Sequence, residues 1–132
     1  MKFYNKNRVA LVTGAGRGIG RSTCIEFAKN NIQVIACSRS IKNLNSLKKQ
    51  IDQINNKKNI IIKIDFEKKN QLKSFLKKIK ILKPDIVVNN LGGSLGINDP
   101  LTSSNNWEKV IYYNLFVAIE INRHIIPYMK KK

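Results

Sequence analysis

Residues 9–20 read Val-Ala-Leu-Val-Thr-Gly-Ala-Gly-Arg-Gly-Ile-Gly, an apolar run that gives way to glycines and then to a helical pattern. Four consecutive apolar residues are typical of a strand that is covered on both faces, as in a parallel sheet. Gly14 lets the chain turn sharply because it has no Cβ, while Gly18 and Gly20 allow close approach of a ligand and of the strand. The stretch therefore predicts a strand, a loop and a helix.

A helix that starts in this loop presents unpaired N–H groups and the positive end of its dipole, which favour a pyrophosphate. Thr13 and the three glycines follow the order TGxxxGxG, whereas the pattern GxGxxG fails because Ile19 stands at its last position. The alternative is a glycine-rich turn without a ligand. The strand before the loop and the helix after it favour a nucleotide site.

At these residues the chain resembles the short-chain dehydrogenase/reductase family, whose cofactor loop has this form. The resemblance implies an α/β three-layer sandwich with a Rossmann-type parallel sheet in strand order 3-2-1-4. It covers residues 8–129 but only the first half of the family's fold, so residues 1–132 are expected to form one NAD(P)-binding domain, truncated before the catalytic half. In the loop, cofactor contacts are expected from Gly14, Gly16, Arg17, Gly18, Ile19 and Gly20.

The composition suits one globular domain, with 132 residues of which 42% are hydrophobic. Cys24 and Cys37 fall in the predicted first helix and second strand, which indicates buried thiols in a reducing compartment. The sequence has no signal-like segment and no apolar run of membrane-spanning length. These features predict a cytoplasmic protein without a membrane partner.

The net charge of +17 is the feature that could indicate a nucleic-acid partner, because 25 basic residues attract phosphates. The basic residues are spread over several helices rather than gathered on one element with aromatic residues between them. The abundance of Lys, Asn and Ile together is a bias that AT-rich coding DNA produces. Dispersed charge supports non-specific affinity alone, so no specific nucleic-acid partner is predicted.

The second strand, predicted over residues 33–38, ends at Arg39, where a dinucleotide fold holds the adenosine ribose. A carboxylate at that point binds the 2′-hydroxyl, whereas an arginine accommodates a 2′-phosphate. No Asp or Glu occurs between Glu26 and Asp52, and Arg17 adds positive charge in the glycine loop. NADP is therefore predicted in preference to NAD, and the alternative for Arg39 is a solvated arginine that opens a helix.

Ser40 is predicted to cap the second helix, and a third strand over residues 60–64 ends in Asp65 and Phe66. The family has an Asp at this strand end beside the adenine ring, so the resemblance implies that Asp65 and Phe66 line an adenine pocket. Alternatively, Asp65 caps the following helix, and the two roles are compatible.

A fourth strand, predicted over residues 86–88, runs into the sequence Asn-Asn-Leu-Gly. This resembles the family's NNAG motif with Leu91 in place of Ala, and it implies cofactor contacts from Asn90, Leu91 and Gly92. Asn side chains suit this point because they tie adjacent strand ends by hydrogen bonds where the ladder stops. The loop that follows is long for an α/β unit, as substrate-side loops often are.

The last helix is predicted over residues 105–128, and its apolar residues on more than one face are typical of broad burial. Asn114 lies inside it, where an asparagine needs hydrogen-bond partners if it is buried. In the family an Asn at the matching point belongs to the catalytic tetrad, linked through water to the catalytic Lys, so the resemblance implies that position for Asn114. The lone His124 has no Cys or carboxylate cluster and predicts no metal site.

Tyr128 and Lys132 match the pattern YxxxK literally, but no strand and no Ser stands between them and Asn114 in the required arrangement. A motif counts only in its structural context, so we interpret the match as coincidental. The family's catalytic Ser, Tyr and Lys follow a fifth strand that this sequence does not contain. We therefore expect an NADP-dependent oxidoreductase in truncated or split form that is inactive alone, and the alternative is a non-catalytic nucleotide-binding module.

The absence of a fifth strand also predicts association. The edge of strand 86–88 and the helix faces around Trp107, Val110, Leu115 and Ile121 are expected to lack part of their cover. Such edges and apolar patches invite pairing with another chain, and charge repulsion is screened beyond about 10 Å at 0.1 M salt. We expect self-association or a complementary C-terminal fragment, with a small carbonyl or alcohol substrate in the completed protein.

Overall fold

The structure, a computed structural model, describes residues 7–131. Its centre is a parallel sheet of the strands β1 (Val9–Thr13), β2 (Gln33–Ser38), β3 (Ile60–Lys63) and β4 (Ile86–Val88). The helices are α1 (Gly18–Lys29), α2 (Ile41–Ile54), α3 (Lys69–Leu82), α4 (Ser104–Ile111) and α5 (Val117–Met129), and a π-helical turn, Tyr112–Phe116, joins the last two. The strand order is β3-β2-β1-β4, which confirms the predicted fold class and the predicted order 3-2-1-4.

The sheet separates two apolar cores because successive side chains of a strand point to opposite faces. Leu11 of β1 packs in the core under α3 and α5, whereas its neighbour Val12 packs in the core under α1 and α2. Both side chains are fully buried, as a strand covered on both faces requires. The two layers of helices thus hold β1 at the centre and direct its carboxyl end toward the glycine loop.

A buried polar cluster fastens the opposite end of the sheet. The Asn55 amide donates to the Ala28 carbonyl at 3.0 Å, and the Asn59 side-chain oxygen accepts from the Val34 N–H at 2.9 Å. The Asn59 amide also donates to Asp52 at 3.0 Å. These hydrogen bonds satisfy buried donors and acceptors that would otherwise destabilise the fold.

The last helical element differs from the prediction, because it is buried on one face alone. Ile121 was expected to lack cover but is 0% exposed, so that expectation is wrong, whereas Trp107 and Leu115 are exposed as expected. The buried face packs on α3 and the sheet, and no described residue covers the other. We call the exposed apolar residues the outer stripe: Trp107, Ile111, Leu115, Phe116, Ile119 and Ile126.

Cys24 and Cys37 are buried and free, as the sequence predicts. Burial raises the pKa of Cys24 to about 12 and raises the pKa of Cys37 well above its usual value, so both thiols stay protonated at neutral pH. Within residues 7–131, no helix combines the length and the hydrophobicity that crossing a membrane requires.

Candidate nucleotide-binding site

The glycines of the first loop serve different purposes. Gly14 and Gly18 have backbone φ values of 64° and 55°, which residues with a Cβ rarely adopt. A Cβ at Gly20 would lie 2.5 Å from the Gly14 carbonyl oxygen and from the Asn90 amide nitrogen. A Cβ at Gly18 would meet nothing within 4 Å, so this glycine faces open space. The loop is thus closely packed behind and open in front, where a ligand would lie.

The N-terminus of α1 is not capped by a side chain. Its N-cap residue, Arg17, makes no side-chain capping hydrogen bond, and the first turn contains no acidic residue. The neighbouring helix α2 differs, because the Ser40 side chain accepts from the Asn43 N–H at 3.2 Å. The first N–H groups of α1 therefore stay available for an anion, which the helix dipole also favours.

A cleft of about 950 Å³ lies in front of this loop, at the carboxyl ends of the strands. Its volume falls within the range of about 300–1,000 Å³ that is typical of ligand sites. The cleft brings together the glycine loop, the end of β2, the segment after β3 and the loop after β4. Most of the predicted site residues line it: Gly14, Gly16, Arg17, Gly18, Ile19, Arg39, Phe66, Asn90, Leu91 and Gly92.

The ends of β1 and β4 are tied at the floor of the cleft. The Asn90 amide donates to the carbonyl oxygens of Thr13 at 3.1 Å and Gly14 at 3.2 Å. In return, the Thr13 hydroxyl accepts from the N–H groups of Asn90 and Leu91, both at 3.1 Å. The predicted role of Asn side chains at this point is confirmed, and the ties hold the glycine loop against the β4 loop.

Comparison with known proteins identifies the family. A family model described as short chain dehydrogenase matches residues 8–132. The chain belongs to the short-chain dehydrogenase family. It is 30% identical over 129 residues to 3-oxoacyl-[acyl-carrier-protein] reductase FabG of Thermotoga maritima, covering 96% of this chain and 52% of that protein. It is 29% identical over 126 residues to the NADPH-dependent pterin aldehyde reductase of Arabidopsis thaliana, covering 92% and 51% respectively.

Solved structures agree in fold. L-sorbose reductase from Gluconobacter frateurii, solved with NADPH and L-sorbose, superposes with a TM-score of 0.87 at 19% identity. The match covers 99% of this chain and 51% of that chain. The chain therefore spans about half the length of the short-chain dehydrogenases that it matches.

Three of the predicted site residues lie outside the lining of the cleft. Gly20 packs behind the loop, as described above. The Asp65 carboxylate accepts from the Glu67 N–H at 3.1 Å, and α3 begins four residues beyond Asp65. The N-cap of α3 is Lys68, so the alternative that Asp65 caps this helix is wrong. A contact from Asp65 to adenine stays a prediction, as it does for Phe66, which is almost fully buried.

Asn114 is the third predicted site residue outside the lining of the cleft. It fastens the loop after β4 to the last helical element. Its side-chain oxygen accepts from the Gly93 N–H at 2.9 Å, and its amide donates at 2.8 Å to the carbonyls of Gly93 and Val110. Asn114 lies in the π-helical turn, and a side chain that enters the helical hydrogen-bond ladder is a known cause of such turns. The geometry gives Asn114 a positioning role, and its place in a catalytic tetrad stays a prediction.

Tyr128 lies away from the cleft, on α5. Its ring centroid is 5.3 Å from Lys80 Nζ, and it is not among the residues that line the cleft. Lys132, the other half of the literal YxxxK match, lies outside the described residues. The position of Tyr128 supports the interpretation of this match as coincidental.

Glu67 and Tyr113 are among the residues of the cleft that sequence reasoning missed. A carboxylate was not expected beside Arg39, but Arg39 Nη1 lies 2.9 Å from Glu67 Oε2. The two residues are 28 positions apart, and only the parallel pairing of β2 with β3 brings them together. Tyr113 is nearly buried against the cleft, and burial raises the pKa of its hydroxyl above the usual value. The signal in the sequence that could have indicated Tyr113 was its position directly before Asn114, which was already a predicted site residue.

Proposed function

We propose that this chain is the dinucleotide-binding part of an oxidoreductase that transfers hydride between NADP(H) and a small carbonyl or alcohol substrate. One observation carries the proposal: an uncapped helix N-terminus and an open glycine face the same cleft of about 950 Å³. Free N–H groups and close backbone approach are what a pyrophosphate requires. The cleft therefore offers a dinucleotide both sufficient volume and N–H donors for its pyrophosphate.

The residues of the cleft divide among the parts of such a cofactor. The N–H groups at the start of α1, with Arg17 beside them, would hold the pyrophosphate. Arg39 would hold the ribose 2′-phosphate, because a guanidinium forms paired hydrogen bonds to phosphate oxygens. The segment Asn90 to Gly92 would contact the nicotinamide half. The cofactor itself supplies the hydride chemistry, and the protein supplies binding and orientation.

The named relatives support both the reaction class and the preference for NADP. The pterin aldehyde reductase is described as NADPH-dependent, and the L-sorbose reductase was solved with NADPH. Both act on carbonyl groups by name, and so does the 3-oxoacyl reductase. For this chain we propose the same broad class of substrate and no narrower one.

Catalysis by the 132-residue chain alone is not expected. In this reaction class a positioned acid delivers a proton to the substrate oxygen, and such an acid contributes about 10²–10⁴ in rate. Tyr128 is directed to Lys80 rather than to the cleft, and we assign Asn114 a supporting position in a catalytic tetrad rather than the role of the acid. Assays of carbonyl reduction with NADPH should give no turnover above background, and turnover that disappears in Tyr128→Phe would contradict this.

Titration calorimetry with NADP⁺ and NAD⁺ tests the cofactor assignment. We expect NADP⁺ to bind about tenfold more tightly, the lower end of what one charge-assisted contact provides. Arg39→Ala should remove the preference, whereas Arg123→Ala should leave it unchanged, because Arg123 forms a similar exposed pair with Glu120 outside the cleft. Failure of both nucleotides to bind would overturn the proposed function, and equal affinities would overturn the assignment to NADP.

A further inference from the structure

The pair formed by Arg39 and Glu67 lies where the proposed site would hold the ribose. Both residues line the cleft, with Nη1 to Oε2 at 2.9 Å. Arg39 follows β2 and Glu67 follows β3, and these strands are neighbours in parallel register up to Ser38 and Lys63. Because parallel strands deliver their carboxyl ends to one edge of the sheet, the topology itself brings this carboxylate to this guanidinium.

The pair is poorly explained as a stabilising ion pair. Its side chains are 57% and 39% exposed, and exposed ion pairs contribute little to folding stability. The Glu67 backbone N–H donates to the Asp65 carboxylate at 3.1 Å, which fixes the turn that presents the Glu67 side chain. Among the contacts between described residues, Arg39 is the cation that the Glu67 carboxylate meets. The Glu67 carboxylate is therefore paired with the Arg39 guanidinium, which is the group that would bind a 2′-phosphate in the proposed site.

We propose that Glu67 sets how strongly the site discriminates between nucleotides with and without a 2′-phosphate, by competing with that phosphate for Arg39. This inference rests on the proposed function. A 2′-phosphate has to displace the carboxylate from the guanidinium and then lies near its negative charge, so both effects weaken its binding. A 2′-hydroxyl meets neither penalty, because a carboxylate accepts a hydrogen bond from it.

The charge balance at this point supports the same conclusion. Arg17 and Arg39 both line the cleft and together carry two positive charges, of which Glu67 offsets one. Replacing the carboxylate by an amide of the same shape would leave the charge of Arg39 to the 2′-phosphate, while Arg17 stays beside the pyrophosphate. The site is therefore built with a moderate preference for the 2′-phosphate rather than the strongest that Arg39 allows.

The test uses two probes that differ only by the phosphate in question, adenosine 2′,5′-bisphosphate and adenosine 5′-monophosphate. Calorimetry on the 132-residue chain gives the ratio of their dissociation constants for the wild type and for Glu67→Gln. We expect Glu67→Gln to tighten the bisphosphate about fivefold, the combined effect of leaving Arg39 free to pair with the 2′-phosphate and of removing one nearby, partly screened negative charge. The monophosphate should bind unchanged or more weakly. Thermal unfolding should show the variant to be folded, because the pair is exposed.

Two further variants decide the mechanism. Glu120→Gln, which removes a matched exposed carboxylate from Arg123 outside the cleft, should leave the ratio unchanged. In an Arg39→Ala background, Glu67→Gln should change the ratio less than twofold, because the competition for Arg39 no longer exists and only the screened repulsion of the 2′-phosphate by Glu67 remains. An unchanged ratio in Glu67→Gln, or an equal gain without Arg39, would overturn this inference while leaving the proposed function intact. Failure of both probes to bind the wild type would overturn both proposals, whereas binding of the bisphosphate alone would overturn only the moderate preference inferred from Glu67.

Discussion

The floor of the cleft and the outer stripe of the last helical element differ in how many of their side chains find partners within this chain. At the floor, Thr13 and Asn90 exchange hydrogen bonds with the backbone of both strand ends and of the glycine loop. At the outer stripe, Leu115 is 52% exposed, although Ile121 on the opposite face of the same element is 0% exposed. The polar groups at the floor of the cleft are therefore paired within the chain, whereas the outer stripe is an apolar surface without cover from the described residues.

The floor of the cleft and the outer stripe depend on the rest of the chain in different ways. The polar groups at the floor of the cleft find their hydrogen-bond partners where the ends of β1 and β4 meet. Apolar side chains on the outer stripe gain nothing from the described fold, and their burial would need another surface.

The two faces of the last helical element should respond very differently to truncation. Ile121→Ala should lower the free energy of unfolding by about 3 kcal/mol, because it leaves a cavity in a packed core. Leu115→Ala should lower it by less than about 1 kcal/mol, because half of that side chain is already exposed. Urea unfolding of both variants measures the difference. Similar losses would mean that the outer stripe is covered in solution.

The tie at the floor of the cleft should matter more than an exposed amide pair. Asn90→Ala should cost about 2 kcal/mol of stability, because it removes the donor to the Thr13 and Gly14 carbonyls. Asn89→Ala provides the control, since its amide meets Asn122 in an exposed hydrogen bond and should cost less than about 0.5 kcal/mol. Equal costs would contradict the importance given to the tie.

The outer stripe should promote self-association. At 0.15 M salt, sedimentation of the chain should show species larger than a monomer, because repulsion from the net charge of +17 is then screened within about 8 Å. The double variant Leu115→Ser and Ile119→Ser should weaken association about tenfold, as expected for removing about 1.5 kcal/mol of apolar burial. A wild-type chain that is monomeric and binds no hydrophobic dye would overturn this prediction.

The polar cluster at the opposite end of the sheet should give a small dependence of stability on pH. Burial disfavours the charged form of Asp52, but hydrogen bonds from Lys48 and Asn59 outweigh burial and lower its pKa. A carboxyl whose pKa is lower in the folded state stabilises the fold above its unfolded pKa, about 3.9 for Asp, and loses this contribution as the pH falls through the folded value.

Asp52→Asn should therefore flatten the fall in unfolding free energy below about pH 4, relative to the wild type. Lys48→Met should flatten it as well, because Lys48 is a cause of the lowered pKa. Urea unfolding between pH 5 and pH 3 provides the measurement. A slope unchanged in both variants would exclude Asp52 as the source.

Local patterns predicted much of the fold and of the site. The bounds of β2 and β4, the capping by Ser40 and the glycine loop all follow from residues close together in sequence. The Asn90 tie was also predictable, because it acts where two strand ends must meet. Apart from the Asn90 tie, which joins Asn90 to Thr13 across 77 positions, these features depend on short-range chemistry that a single sequence contains.

The features that sequence reasoning missed depend on distant parts of the chain. The Arg39 and Glu67 pair needs the register of β2 and β3, so the search for a carboxylate near Arg39 in sequence overlooked it. The exposure of Leu115 and the burial of Ile121 could not be separated by pattern, because both are apolar and helical. Which face of a helix is covered depends on what else packs there.

A nuclear magnetic resonance titration of the isotopically labelled chain with NADP⁺ shows which of the two regions binds the nucleotide. If the cleft is a cofactor site and the outer stripe is not, the amide signals of residues 14–20, 38–40 and 90–93 should shift with one saturating dissociation constant. The signals of Ile119 and Ile126 on the outer stripe should stay in place. Shifts confined to the outer stripe, or no saturable shifts in the glycine loop, would contradict the account.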